Sequence, residues 1–247
     1  MDAPLEDQRA LLELQRHHSA VDRLTARRGS LPEELRLDEL AGGMAVVDQV
    51  GAERRGSLGT LQREQARLED EIDMVTRKAH SEEDRAASGR VTSPKELTAI
   101  QEEVAALKRR QSALEDDLLE RMEQRETLEA ELAELDSRRE AITAEQAEVT
   151  RERDAALVEI DADLATERAA ADEVAPRVDG ELRALYDQIR KRQGGVGVAA
   201  LVGDTCQGCR VSISAVELAS LRKLPPETVK RCENCRRILV RTSESGL

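Results

Sequence analysis

The chain has 247 residues, 36% of them charged, a formal net charge of −13, no Phe, no Trp and a single tyrosine, Tyr186. A large globular core takes much of its buried area from aromatic rings, whereas a narrow helix–helix seam is filled by Leu, Ile, Val and Ala alone, so this composition points to a mainly α, coiled-coil chain. No signal sequence and no apolar run long enough to cross a membrane is present, which makes a cytoplasmic protein the expectation.

The amino-terminal segment carries Leu11, Leu14, Val21 and Leu24 at helical spacing, and residues 29–32 separate it from the next helical stretch. From Leu40, alternating steps of four and three reach Met44, Val47, Gly51, Arg54, Leu58, Leu61, Gln65, Leu68, Ile72, Val75 and Ala79, a heptad seam with a few weak layers. A second seam runs through Leu97, Ile100, Val104, Leu107, Gln111, Leu114, Leu118, Met122, Leu128, Leu132, Leu135, Ile142, Val149, Ala156, Ile160 and Leu164. One slip in spacing around Met122 reads as a stutter. Between the seams, residues 86–94 contain Gly89, suited to positive φ, and Pro94, suited to the first turn of a helix. The chain reverses there, giving a long antiparallel hairpin in which position i faces position 179 minus i. On that rule Leu40 lies near Arg139 and Leu14 near Ala165, and the second arm is about 120 Å long at 1.5 Å per residue. A parallel homodimer of straight helices is the competing architecture.

After Pro176 a short helix over 178–192, with Leu182, Leu185 and Ile189, leads to Gln193-Gly-Gly-Val-Gly197, a hinge or tight turn. Its Gly195-x-Gly197-x-x-Ala200 spelling imitates a dinucleotide-binding turn, but a helix precedes it and no βαβ unit surrounds it, so it reads as a connector. Val198-Ala-Ala-Leu-Val202 is an extended apolar run.

All four cysteines come next, as Cys206-Gln-Gly-Cys209 and Cys232-Glu-Asn-Cys235. Two CxxC turns at this separation form a tetrahedral four-thiolate site of the zinc-ribbon kind, and Cys206, Cys209, Cys232 and Cys235 are the candidate Zn2+ ligands. Iron in a rubredoxin-like site is the next candidate and redox CxxC chemistry the third. The spacer holds Ser214-Ala-Val-Glu217, a capping box for a short helix over 215–222, ended by Leu224-Pro-Pro226. Arg237-Ile-Leu-Val-Arg241 alternates as a strand, expected to pair with the 198–202 run. The domain division is therefore 1–192, the hairpin with its tip at about 86–94 and its connecting helix, and 193–247, the ribbon.

From Arg190 onward eleven basic residues stand against five acidic ones, so the tail is +6 and the rest of the chain −19. The acidic balance of the hairpin is a solvated face of interleaved charges. The ribbon cations Arg210, Arg222, Lys223, Lys230, Arg231, Arg236, Arg237 and Arg241 have two available uses. Those nearest the cysteines, Arg210, Arg236 and Arg237, are candidates to offset the negative charge of a four-thiolate centre, and the set as a whole is a candidate surface for a nucleic-acid backbone or an acidic protein segment. Base-stacking aromatics are absent, so nucleic-acid binding would be backbone-directed and salt-sensitive.

Ser93-Pro-Lys-Glu-Leu97 and the arm through Met122, together with Val202-Gly-Asp-Thr-Cys-Gln-Gly-Cys209 and Arg231-Cys-Glu-Asn-Cys-Arg-Arg-Ile-Leu239, resemble the bacterial C4-type zinc-ribbon, coiled-coil hairpin proteins. The likeness spans residues 5–241. It implies an antiparallel hairpin with a carboxy-terminal zinc ribbon and no known catalytic activity. It also implies, for some members, adaptor roles linked to flagellar or type III secretion, with a sigma factor, secretion components or RNA as partners. Arg236 replaces a glycine usual in that pattern, and Val240 a tyrosine.

No catalysis is expected. His17, His18 and His80 are scattered, and His18 reads as a tolerated seam residue. No sequence feature gathers carboxylates into a desolvated pocket, and a four-thiolate zinc is coordinatively closed. The expected function is a non-enzymatic zinc-binding adaptor or scaffold, its arm binding a protein and its basic ribbon docking a second macromolecule. The alternative is a nucleic-acid-binding regulator acting through the cationic ribbon. Neither a membrane nor a small-molecule substrate is implied, and monomer and dimer are both open.

Overall fold

The computed structural model describes residues 1–246. Its elements are α1 (Leu5–Arg28), α2 (Pro32–Ala87), α3 (Pro94–Val174), a 3-10 turn (Ala175–Arg177), α4 (Gly180–Arg192), β1 (Val198–Val202), β2 (Thr205–Cys206), α5 (Ala215–Lys223), β3 (Lys230–Arg231), β4 (Ile238–Arg241) and a last 3-10 turn (Ser243–Ser245). The chain is mainly α, a long antiparallel helical hairpin followed by a small ribbon, as expected. Among the described residues no helix is long and apolar enough to cross a membrane.

The chain forms two compact units, Arg36–Val149 and the union of Met1–Leu35 with Thr150–Leu247. In the first, the heptad positions of both arms are buried or half-buried, Arg54 alone being exposed. Around the stutter, Arg121 with Met122 and then Gln124 with Arg125 are half-buried, so two adjacent positions share each interface layer there. The tip falls where Gly89 takes φ 70°, between the end of α2 and Pro94. Across the seam, Lys78 pairs with Glu103, Arg54 with Glu131 and Asp48 with Arg139. Arg139 therefore lies about two helical turns from the Leu40 level that simple reflection about the tip gives. The reflection rule ignores both the length of the tip and the residues that the stutter adds to one arm only.

The second unit has two apolar centres that bear on function. Ala10, Leu11 and Leu14 of α1 share a buried cluster with Ala171, Val174, Val178, Leu182, Tyr186, Val198, Ile238 and Val240. Leu14 thus shares a cluster with Ala171 and Val174, and with His17 paired to Glu167 the level facing Leu14 lies beyond Ala165. The ribbon sheet has the order β2-β1-β4-β3, with β1 parallel to β4, Val198 opposite Ile238 and Leu201 opposite Arg241. The 198–202 and 238–241 runs pair as expected. Their alternate side chains face two ways, Val198, Ile238 and Val240 toward α1 and α4, and Ala199, Leu201 and Leu239 toward the cysteines.

A boundary at 192/193 follows the order of motifs along the chain, whereas compact packing groups α1 with the ribbon. The glycine connector is the joint between them. A Cβ on Gly197 would stand 2.7 Å from the Tyr186 carbonyl oxygen and 2.7 Å from its ring, so the connector lies flat on α4. It is held by side chains from both sides rather than free to swing.

Candidate metal centre

The two cysteine turns repeat one hydrogen-bond pattern. The Arg210 amide donates to the Cys206 carbonyl at 2.7 Å, and the Cys206 amide to the Val211 carbonyl at 3.1 Å. In the second turn the Arg236 amide donates to the Cys232 carbonyl at 2.8 Å, and the Cys232 amide to the Arg237 carbonyl at 2.9 Å. Each turn closes through a residue in the left-handed region, Arg210 at φ 58° and Arg236 at φ 62°. Such a turn aims both of its sulfurs inward, and the sheet sets the turns facing each other.

Cys206 Sγ lies 4.0 Å from Cys235 Sγ, and Cys209 Sγ 3.9 Å from Cys232 Sγ. All four sulfurs fall within 4.8 Å of one another. A tetrahedron with zinc–sulfur bonds of about 2.3 Å has sulfur–sulfur edges of about 3.8 Å, so the four donors fit one zinc ion with little adjustment. Cys206 and Cys232 are buried, Cys209 and Cys235 half-buried, among Ala199, Leu201, Ile213, Leu221 and Leu239. Burial pushes the Cys206 thiol up to about 12 and raises Cys232 as well. For Cys235 burial also raises the value, but main-chain and side-chain donors of Arg237, together with the Cys232 and Cys209 thiols, outweigh it and lower the pKa. Four sulfurs converging where the two buried thiols, Cys206 and Cys232, resist deprotonation on their own are the donor set of a cation site, since metal binding supplies the charge that makes deprotonation favourable.

The ribbon cations divide into two groups. Arg237 donates to the carbonyls of Val196 at 3.0 Å, Gly208 at 3.1 Å and Gln193 at 3.0 Å, so it ties the first cysteine turn to the connector. Arg241 donates to Leu221 and Leu224 carbonyls, both at 3.0 Å, and to that of Pro225. These two are half-buried braces, because main-chain carbonyls left unpaired by the loops at each end of β4 need donors. Arg210, Arg222, Lys223, Lys230, Arg231 and Arg236 are exposed. The capping box is half formed: the Ser214 hydroxyl accepts from the Glu217 amide at 3.2 Å, which starts α5.

Polar side chains to which the sequence assigns no role surround the joint. Gln8 Nε2 donates to Ala3, Pro226 and Glu227 carbonyls, and Gln15 bridges the connector. His18 stacks on Tyr186 at 5.8 Å between ring centroids and shares a hydrogen bond with its hydroxyl at 2.8 Å. Burial, then Arg190, lowers the His18 pKa, and burial raises that of Tyr186. His17 Nδ1 meets Glu167 Oε2 at 2.6 Å. The available signal was the spacing of Gln8, Leu11, Gln15 and His18, three polar residues set at seam intervals beside a leucine.

Residues 14–194 match the model of the CT398-like coiled coil hairpin domain, and residues 205–239 that of the C4-type zinc ribbon domain. The chain is 32% identical over 241 residues to an uncharacterized protein of Mycobacterium tuberculosis strain H37Rv, covering 98% of each. A solved structure from Mycobacterium smegmatis is similar at 36% identity and TM-score 0.82, over 98% of this chain and 100% of that one. CT398 of Chlamydia trachomatis, at 17% identity and TM-score 0.68 over 96% and 98% of the two chains, shares the fold. With hairpin, ribbon and sulfur tetrahedron all in place, the chain belongs to the CT398-like coiled-coil hairpin proteins that carry a C4-type zinc ribbon.

Proposed function

We propose that the chain is a non-enzymatic adaptor whose hairpin binds a protein partner and whose zinc ribbon docks a second macromolecule through exposed cations. The observation that carries this reading is the pair of arginines in left-handed backbone. A non-glycine residue there costs roughly 1–2 kcal/mol that glycine would not. Arg210 and Arg236 are both exposed, and among the described residues neither side chain has a hydrogen bond or ion pair. Charge kept at a conformationally costly position and directed to solvent suits contact with an anionic partner. Zinc held by four sulfurs cross-links the two turns and leaves no position for a reactive water, which fits a structural rather than a catalytic centre.

A nucleic-acid backbone is the second reading, favoured by Lys230 and Arg231, which form an exposed edge strand of the same ribbon. One experiment addresses both. Full-length protein and the double variant R210G/R236G are used to capture partners from native cytosol at two salt concentrations, with protein and RNA both analysed. The variant should keep its zinc and its thermal stability while losing the captured partner several-fold. Loss of a protein supports the adaptor, and loss of RNA whose retention falls steeply with salt supports the second reading. Equal capture by both forms sinks the assignment of the ribbon surface.

A further inference from the structure

Helix α1 is fastened to the ribbon at two separated places. At one, Gln15 Oε1 accepts from the Gly197 amide at 2.7 Å while its Nε2 donates to the Gly195 carbonyl at 2.9 Å. At the other, Gln8 Nε2 donates to the Pro226 and Glu227 carbonyls, each at 3.2 Å. There the Ala3 amide also donates to Glu227 O at 2.8 Å and the Val229 amide to Met1 O at 3.2 Å. Both glutamines are buried, at 1% and 7% exposure, so each bond stands in place of water that cannot reach the site.

Both anchor loops are held in turn from the metal side. Gly195 and Gly197 sit in the connector whose Gln193 and Val196 carbonyls are gripped by Arg237. The same guanidinium grips Gly208, inside the first cysteine turn, and Arg237 comes two residues after Cys235. A Cβ on Gly208 would stand 2.9 Å from Arg237 Cδ, so this turn and this arginine fit together without slack. The loop at 224–229 is braced by Arg241 and runs directly into β3 and Cys232. Both loops are thus linked to the cysteine turns, the connector through Arg237 and the 224–229 loop through the chain that leads into Cys232.

We infer that metal loading of the four cysteines controls the docking of α1, so that metal loss frees Leu5–Arg28 from the joint and uncovers the Leu182 and Tyr186 face beneath it. The coupling is carried by Arg237 through the connector to Gln15, and by Arg241 through the 224–229 loop to Gln8. Because coupling between two sites is reciprocal, loosening α1 must also weaken metal retention.

The test uses the full chain, zinc-loaded and chelator-stripped, followed by amide hydrogen exchange and by the emission of Tyr186, the sole tyrosine in a chain without tryptophan. Stripping should lower the protection of peptides within 5–28 by at least about tenfold and change Tyr186 emission, while peptides within 44–79 keep their protection. In a zinc-competition titration, Q15A should give up its ion at a chelator concentration about fivefold or more below that for the unaltered chain, within the usual range of coupling. Unchanged α1 protection after stripping, equal zinc retention by Q15A, or loss of protection throughout 44–79 would each overturn the inference.

Discussion

His18 shows how one half-buried side chain makes the joint sensitive to pH. Burial, and then the Arg190 charge, lower its pKa from the ordinary 6.5 and outweigh Asp187 and Asp22, because protonation would take a cation out of water and set it beside a guanidinium. The unfolded chain therefore binds a proton more readily than the folded one, and stability rises with pH through this window. The contribution of neutral His18 is complete above about 6.5 and is lost as pH falls through that value toward the lower folded pKa. H18Q should flatten the fall in denaturation midpoint between pH 7 and pH 5, measured by Tyr186 emission. A slope equal to that of the unaltered chain would exclude His18 as the titrating group. The composition pointed away from such a cluster, because one tyrosine among 247 residues looks incidental. Its weight comes from a fold that brings it to His18 across a sequence separation of 168.

Helix α2 has an unusual weakness between Gly42 and Gly59, where five glycines interrupt a helix of 56 residues. A Cβ at Gly42 or Gly56 would meet nothing within 4 Å, so packing gives no reason for glycine at either position. G42A and G56A should each stabilise the hairpin by about 0.5–1 kcal/mol in chemical denaturation, through helix propensity alone. A destabilising result would show that the segment needs glycine for a contact absent from the isolated chain. Elements of this kind were legible from sequence because their signal is local: each seam position repeats every three or four residues, and each CxxC turn closes on itself. The ribbon strands were legible for the same reason, as short apolar runs beside the cysteines. What stayed hidden was the docking of α1, since Gln15 and Gly197 lie 182 positions apart and neither carries a pattern that names the other. Arg237 and Arg241 read as surface cations because charge says nothing about direction, and only unpaired carbonyls nearby turn a guanidinium inward.

At the scale of the whole molecule, opposite charges are segregated, +6 from residue 190 onward against −19 before it. Pairs such as Arg54 with Glu131 and Lys78 with Glu103 are largely solvent-exposed, and exposed pairs of this kind contribute about 0–1 kcal/mol each. Raising salt from roughly 0.05 to 0.5 M should therefore move the helical melting transition by only a few degrees, while any capture through the ribbon weakens steeply. A large downward shift in melting would mean that interhelical ion pairs, not the leucine seam, hold the arms together. The seating of α1 on residues near the other end of the chain also has a consequence for synthesis. Leu11 and Leu14 leave the ribosome long before Val198, Ile238 and Val240 exist to cover them. At roughly 5–20 residues per second, translation of the 180 residues between Gln15 and Gly195 takes about 10–35 s. Through that interval the nascent chain carries an uncovered greasy stripe, and its safe passage depends on whatever shields newborn polypeptides until the last strand arrives.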